Sequence, residues 1–355
     1  MVLKRVLKTA AYAAVGMLRV LGVRRVAHAA ATTRSWRGRT RTQTFSVSEP
    51  APTLRMIGDQ PPPPCRPIDS DWFVIDSEET GFTFRNNHLL DPDRRVVYEP
   101  AIRFRDLPIS KRILESTSEV SGTVAYLSNT WPDNYYHWLC KTLPLLQIYR
   151  ERTGEPDFVY LGRPLRRWHV ESLALIGVSS DRILTKGVAP TRIVAAIPNR
   201  RGGVDTASLQ FVANGLSPKT SRGHELLAFI GRGRTRRRML VNERECAERL
   251  RKHGLQFVTL DGKSVREQTE LFSSAKVIVA AHGAALTNLL FASPETTVIE
   301  LMPPRSSSRT SFAEIAAVRG CRYGRLSSES CGRDRVQIDI DRVEALVEAV
   351  LAGDA

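Results

Sequence analysis

From Leu226 onward the chain alternates short apolar runs with helical patterns, and that alternation leaves few folds open to it. Leu226–Ile230, Phe257–Leu260, Lys276–Ala280 and Thr297–Leu301 read as strands. Helical patterns occupy Glu243–Lys252 and Val265–Ser273, and a third follows the turn Ala281-His282-Gly283 as far as Phe291. Strands that are apolar along nearly their whole length are buried on both faces, and intervening helices let consecutive strands run parallel. The expected class is α/β, a parallel sheet covered by helices.

The preceding region carries shorter signals of the same kind. Strands are expected at Trp72–Ile75, Arg95–Tyr98, Gly122–Leu127, Phe158–Leu161 and Ile193–Ile197, with helices over about Asn134–Arg152 and near Leu165–Ile176. The polar stretch 198–222 is the best boundary, and 355 residues suffice for two cores. The expected division is a basic helix at 1–30, a Pro/Arg/Thr-rich linker at 31–68 ending in Pro61–Pro64, and α/β domains at 69–205 and 206–330. A strand and an amphipathic helix at 331–355 must dock on one of the two domains.

Charge narrows the partners. A formal net charge of +15 points to phosphates, anionic lipid, anionic glycan or nucleic acid without choosing among them. Five scattered cysteines without a CxxC pair fit a reducing compartment and offer no zinc site. At the N-terminus, an apolar run too short to span a bilayer is flanked by Lys4, Arg5, Lys8 and Arg19, Arg24, Arg25. An interfacial helix on an anionic membrane, a plain soluble helix and a signal peptide ending at Ala27-His28-Ala29 are the three readings. The first places the chain in the cytoplasm, peripheral on the inner face of the plasma membrane.

In open parallel sheets, ligands sit beyond the C-terminal ends of the strands. His282-Gly283 falls at such an end: glycine admits close backbone approach, and the amides opening the next helix can seat a diphosphate. A tight turn packed around Gly283 is the plainer alternative. The loop Arg232–Arg238 follows another strand of the same sheet, and guanidinium forks match phosphate oxygens, though a solvated basic loop looks the same in sequence. Glu300 could accept ribose hydroxyls or pair with neighbouring arginines. Upstream, Asp133 or Asn134 can cap a helix, and His137 one turn in can act as a base or be a bonded structural histidine. Three D-x-D patterns, at Asp69–Asp71, Asp91–Asp93 and Asp339–Asp341, lie in unrelated contexts, so no metal site is assigned. The absence of GxxxxGK[ST] and GxGxxG removes the usual ATPase and dehydrogenase readings.

Taken together, these segments resemble family 61 glycosyltransferases, a group that includes bacterial capsule and lipopolysaccharide enzymes. The likeness is carried by Asn134-Tyr135-Tyr136-His137-Trp138 with Leu143-Pro144, by Arg232, Arg237, Arg238, Asn242 and Glu243, and by Gln268 with Leu271-Phe272. Its most specific part runs through His282-Gly283-Ala284-Ala285-Leu286-Thr287-Asn288 to Glu300. Lys141 departs from the acidic residue common after the His-Trp pair. The resemblance implies a GT-B-like fold, two Rossmann-like domains facing a cleft, with the acceptor held by the first and the donor by the second. It implies inverting transfer from a nucleotide-diphosphate sugar to a glycan or glycolipid, with the nucleotide-sugar as co-substrate, no cofactor and no required metal. His137 is the expected base, with Asp133 second. Arg232, Arg237, Arg238, Asn242, Glu243, Gln268, His282, Gly283, Ala284, Asn288 and Glu300 are the expected donor-binding set.

Rival classes are a polysaccharide-modifying transferase of similar shape, such as a pyruvyl transferase, and a non-catalytic glycan- or nucleic-acid-binding protein. The nucleic-acid reading needs aromatics interleaved with basic residues, and none lies between Gly231 and Gly254. No nucleic acid partner is therefore expected.

Overall fold

Two apolar cores divide the chain into two units, one from residues 1–48 and 68–208, the other from 49–67 and 209–355. The computed structural model describes residues 40–353 except 59–62, 64, 66–67, 79–80, 86–87, 91, 93–95, 99–116, 129–132, 163–164, 199–204, 219–222, 236 and 333. The basic segment expected as a membrane-surface helix, 1–30, lies outside the described residues. Among those described, no helix is long and apolar enough to cross a membrane. All five cysteines are free.

The chain runs through β1 (Thr40–Glu49) and β2 (Arg55–Met56), the latter a member of the second unit's sheet. It then forms β3 (Ile68–Ser77), β4 (Thr83–Arg85), β5 (His88–Leu90), β6 (Val96–Tyr98), β7 (Ser118–Tyr126), β8 (Phe158–Tyr160), β9 (Ile183–Leu184) and β10 (Val188–Pro198). The first unit's sheet has the order β6-β5-β4-β10-β7-β8-β9, with β3 also on β10 and β1 on β3. Strands β10, β7, β8 and β9 are mutually parallel, whereas β3 and β4 run antiparallel to β10. Its core stacks Phe84 against Tyr126 at 5.3 Å and against Tyr160 at 5.0 Å.

Two expectations need revision here. The stretch 31–68, read as linker, contains β1 and β2 and the first residue of β3. Its polar composition hides a strand because β1 is Thr-rich and lies beside β3, where Phe45 stacks on Trp72 at 6.3 Å. The single helix expected over 134–152 is three pieces. Tyr135–His137 is one turn, Trp138–Thr142 is a π-helical turn, and Leu145–Arg152 is regular α-helix. Pro144 supplies the cause, since it has no N–H to continue the ladder. Just before it, Leu143 N–H reaches back five residues to the Trp138 carbonyl, at 2.8 Å.

The second unit adds β11 (Leu226–Ile230), β12 (Met239–Leu240), β13 (Gln256–Val258), β14 (Ala275–Ala281), β15 (Thr297–Met302), β16 (Arg322–Ser327), β17 (Glu329–Ser330) and β18 (Arg335–Gln337). Its main sheet has the order β13-β11-β14-β15-β16-β2, every pairing parallel. Setting aside β12, which joins β18 and β17 in a small separate sheet, the first five strands follow the doubly wound 2-1-3-4-5 order. That order reverses direction between β11 and β14, the place where such sheets open a crevice. The C-terminal segment docks on this unit: β18 pairs with β12, and helix Ile340–Ala352 buries Val343, Val347 and Val350 in its core. The architecture is mixed α/β with parallel sheets.

Candidate functional site

The crevice between β11 and β14 is where the sequence's two strongest signals meet. Strand β11 ends at Ile230, and Arg232 follows; β14 ends at Ala281, and His282-Gly283 follow. The Arg232 guanidinium lies directly on Gly283. A Cβ built there would stand 3.1 Å from Arg232 Cζ and closer still to Nη1. Gly283 is needed for space alone, because its φ of 176° is extended backbone open to any residue. The helix beyond it, Ala284–Phe291, is 3-10 rather than α, and its opening amides have no intrahelical acceptor.

Arg232 is held almost wholly by neutral groups. Its Nη2 donates to the Arg237 carbonyl at 2.8 Å and its Nη1 to the His282 carbonyl at 3.4 Å, while Nε is buried without a hydrogen-bond partner. The nearest carboxylate, Glu243, accepts from the Arg232 backbone amide at 2.7 Å instead. Burial, and then repulsion from Arg238, pull the Arg232 guanidinium down to about 10, against a smaller opposing pull from Glu243. Arg238 is also held below its ordinary range, by burial first and then by Arg309 and Arg237. Its φ of 52° places an arginine in the left-handed region, a conformation that L side chains seldom adopt outside functional loops. A guanidinium partly withdrawn from water and bonded to carbonyls is a charge in want of an anion.

Beside it lies a buried polar chain. His282 Nδ1 meets Glu300 Oε1 at 2.5 Å, and Glu300 Oε2 accepts from the Tyr323 hydroxyl. Glu300 is 1% exposed in a strand whose every residue is buried, and both its carboxylate oxygens are bonded within the protein. Burial, then Glu300, hold the Tyr323 hydroxyl well above its ordinary value.

The other donor-set residues divide into contacts and supports. Ala284 opens the 3-10 helix, and Arg237 is exposed and contributes its carbonyl to Arg232. Gln268 and Asn288 are buried and bonded to each other at 2.9 Å, tying helix Val265–Ser273 to the segment after Gly283. Asn242 uses both ends of its amide on Ile338, donating to its carbonyl at 2.8 Å and accepting from its N–H at 3.2 Å. Asp339, in one of the D-x-D patterns, caps the C-terminal helix by accepting from Arg342 N–H, and Asp341 pairs with Arg249. Tyr323 and Arg309 are the residues that sequence reading missed. Strand parity could have found Tyr323, whose register partner Val298 shares a face with Glu300.

In the first unit, Asn134 caps the turn Tyr135–His137 by accepting from His137 N–H at 3.3 Å. His137 is half-buried, its carbonyl accepting from Thr142 across the π-helical turn at 3.3 Å. Asp133 lies 3.9 Å from the Arg166 guanidinium. The next residue, Trp138, is fully buried and donates to Ser172 at 2.8 Å, so it anchors the turn that carries His137.

Residues 135–299 match the family model described as Glycosyltransferase 61. No curated protein matches the chain. Among solved structures, one described as a D-3-phosphoglycerate dehydrogenase oxidoreductase from Ralstonia solanacearum aligns at 13% identity over 66% of this chain and 95% of that chain. Its TM-score of 0.20 is too slight to bear on fold or function. The family match spans His137, the Arg232–Arg238 loop and the His282-Gly283 turn, and it supports the reading of the chain as a glycosyltransferase.

Proposed function

We propose that the chain transfers a sugar, with inversion, from a nucleotide-diphosphate donor to a glycan or glycolipid acceptor in cell-surface polysaccharide synthesis of the bacterial capsule or lipopolysaccharide type. The donor occupies the second unit, its diphosphate seated on Arg232 and the amides that follow Gly283. One observation carries this reading: the half-buried Arg232 guanidinium, bonded to carbonyls with its buried Nε unpartnered, at the switch point of a parallel sheet. Positive charge fixed in place stabilises a departing diphosphate without a metal ion, because the dipoles and cations need no reorganisation as charge develops.

The acceptor belongs to the first unit, in a GT-B arrangement of the two. Single displacement needs one base, and His137, with Asp133 second, stands at the mouth of a turn anchored by Trp138. The reaction is cytoplasmic, with segment 1–30 holding the enzyme at the inner face of the membrane. A thermal-shift panel of UDP-, GDP- and CMP-sugars alongside duplex oligonucleotides tests the class, and stabilisation by oligonucleotide alone would end it. With the donor so identified, His137→Ala is expected to keep donor binding and to lose most transfer, about 100-fold or more for removal of a general base. Full turnover in that variant removes His137 from the mechanism.

A further inference from the structure

Building on the donor site proposed above, we infer that Glu300 and Tyr323 are positioning residues that aim the His282 imidazole at the departing diphosphate. The three side chains come from neighbouring strands in one register. Ala280 pairs with Glu300 and Val298 with Tyr323, so the two-residue period of a strand puts Glu300, Tyr323 and the position after Ala281 on one face. Glu300 interrupts a strand that is otherwise apolar, where an unpaired carboxylate would be costly. A residue kept there for packing alone could be apolar without loss. Instead both carboxylate oxygens are bonded, one to Tyr323 and one to His282 Nδ1.

A carboxylate on Nδ1 fixes the ring as the Nδ1–H tautomer and leaves Nε2 for a ligand. The remaining freedom of the residue is small. His282 N–H donates to the Leu301 carbonyl at 2.9 Å, its ring meets Phe312 at 5.1 Å, and its own carbonyl accepts from Arg232. Imidazole, half-buried guanidinium and Gly283 therefore meet where the two loops touch. With Nε2 protonated, the imidazolium donates a hydrogen bond to the phosphate oxygen that keeps the electron pair as its bond to the anomeric carbon breaks. Glu300 stabilises that imidazolium, and Tyr323 holds the carboxylate's other oxygen. No bond to His282 forms, the proton stays on Nε2, and the acceptor's proton goes to the separate base.

Side-chain 15N NMR of the full-length, histidine-labelled protein tests this, with UDP, GDP and CDP added in turn and binding heats measured on the same samples. The His282→Asn variant identifies the resonance among the seven histidines. The expected result is a protonated Nδ1 in the free protein and an Nε2 that moves to its protonated position when nucleotide binds. In Tyr323→Phe, nucleotide affinity is expected to hold while kcat falls about 10-fold or more at unchanged KM, as for loss of an orienting partner. An unprotonated Nδ1, or an Nε2 that does not respond in a sample where heat shows bound nucleotide, overturns the inference. A sample in which none of the three nucleotides binds overturns the donor-site reading itself, so the two failures are told apart.

Discussion

At Gly283 a single hydrogen in place of a methyl lets a charged side chain rest on the backbone. Arg232 occupies the volume that any other residue's Cβ would need, and it does so with its charge half-withdrawn from water. Gly283→Ala is therefore expected to expel the guanidinium from its seat. The displaced atoms are the far end of a flexible side chain, so stability in denaturant unfolding should fall by less than about 1 kcal/mol, while nucleoside-diphosphate affinity should fall. Unchanged nucleotide affinity in this variant would show that the contact between Arg232 and Gly283 serves packing alone.

The elements around the crevice are held by pairs remote in sequence. Gln268 and Asn288 couple helix Val265–Ser273 to the 3-10 helix after Gly283, both inside the fold. Asn288→Ala leaves the Gln268 carbonyl oxygen without its donor, so a loss of about 1–3 kcal/mol is expected by urea titration. A change below a few tenths of that would mean water replaces the amide. Farther out, Glu344 joins Arg249 at 2.8 Å and His253 at 2.9 Å, fixing the C-terminal helix on helix Glu243–Arg251. Arg249, then His253, hold the Glu344 carboxyl down to about 2 from an ordinary 4.5. A carboxyl lowered in the folded state adds stability that is full above 4.5 and lost as pH falls toward about 2. Glu344→Gln should thus lower Tm near neutrality, with the gap to wild type closing by pH 2; a gap that does not depend on pH would contradict the ion-pair account. The strands β11, β14 and β15 were legible because largely buried strands are apolar along most of their length, and the helices between them because their period is clear. The partners of Gln268, Asn242 and Glu300 were not, since each lies 18 or more residues away on another element and no local pattern marks it. The break at Pro144 was legible in principle, as a proline inside a helical pattern, yet the apolar spacing of Leu139, Leu143 and Leu146 carried the helix across it.

Across the whole chain, the second unit is assembled from two separate stretches. Strand β2 completes its sheet edge from residues 55–56, and Ile57 donates its N–H to the Tyr323 carbonyl at 3.0 Å. This is why residues 55–57 look like linker: their sheet partners, Arg322 and Tyr323, lie more than 260 residues away, and a two-residue strand has no periodicity to read. The net charge of +15 was legible at once, but its placement was not. Three arginines, Arg232, Arg238 and Arg309, gather on the crevice side of this unit, each lowering or being lowered by a neighbour in the group. The most direct test is a crystal structure of the full chain with a bound nucleoside diphosphate. Phosphate oxygens within hydrogen-bond distance of the Arg232 guanidinium and the amides after Gly283 are the predicted result. A nucleotide bound elsewhere, with Arg232 still on its two carbonyls, would contradict it.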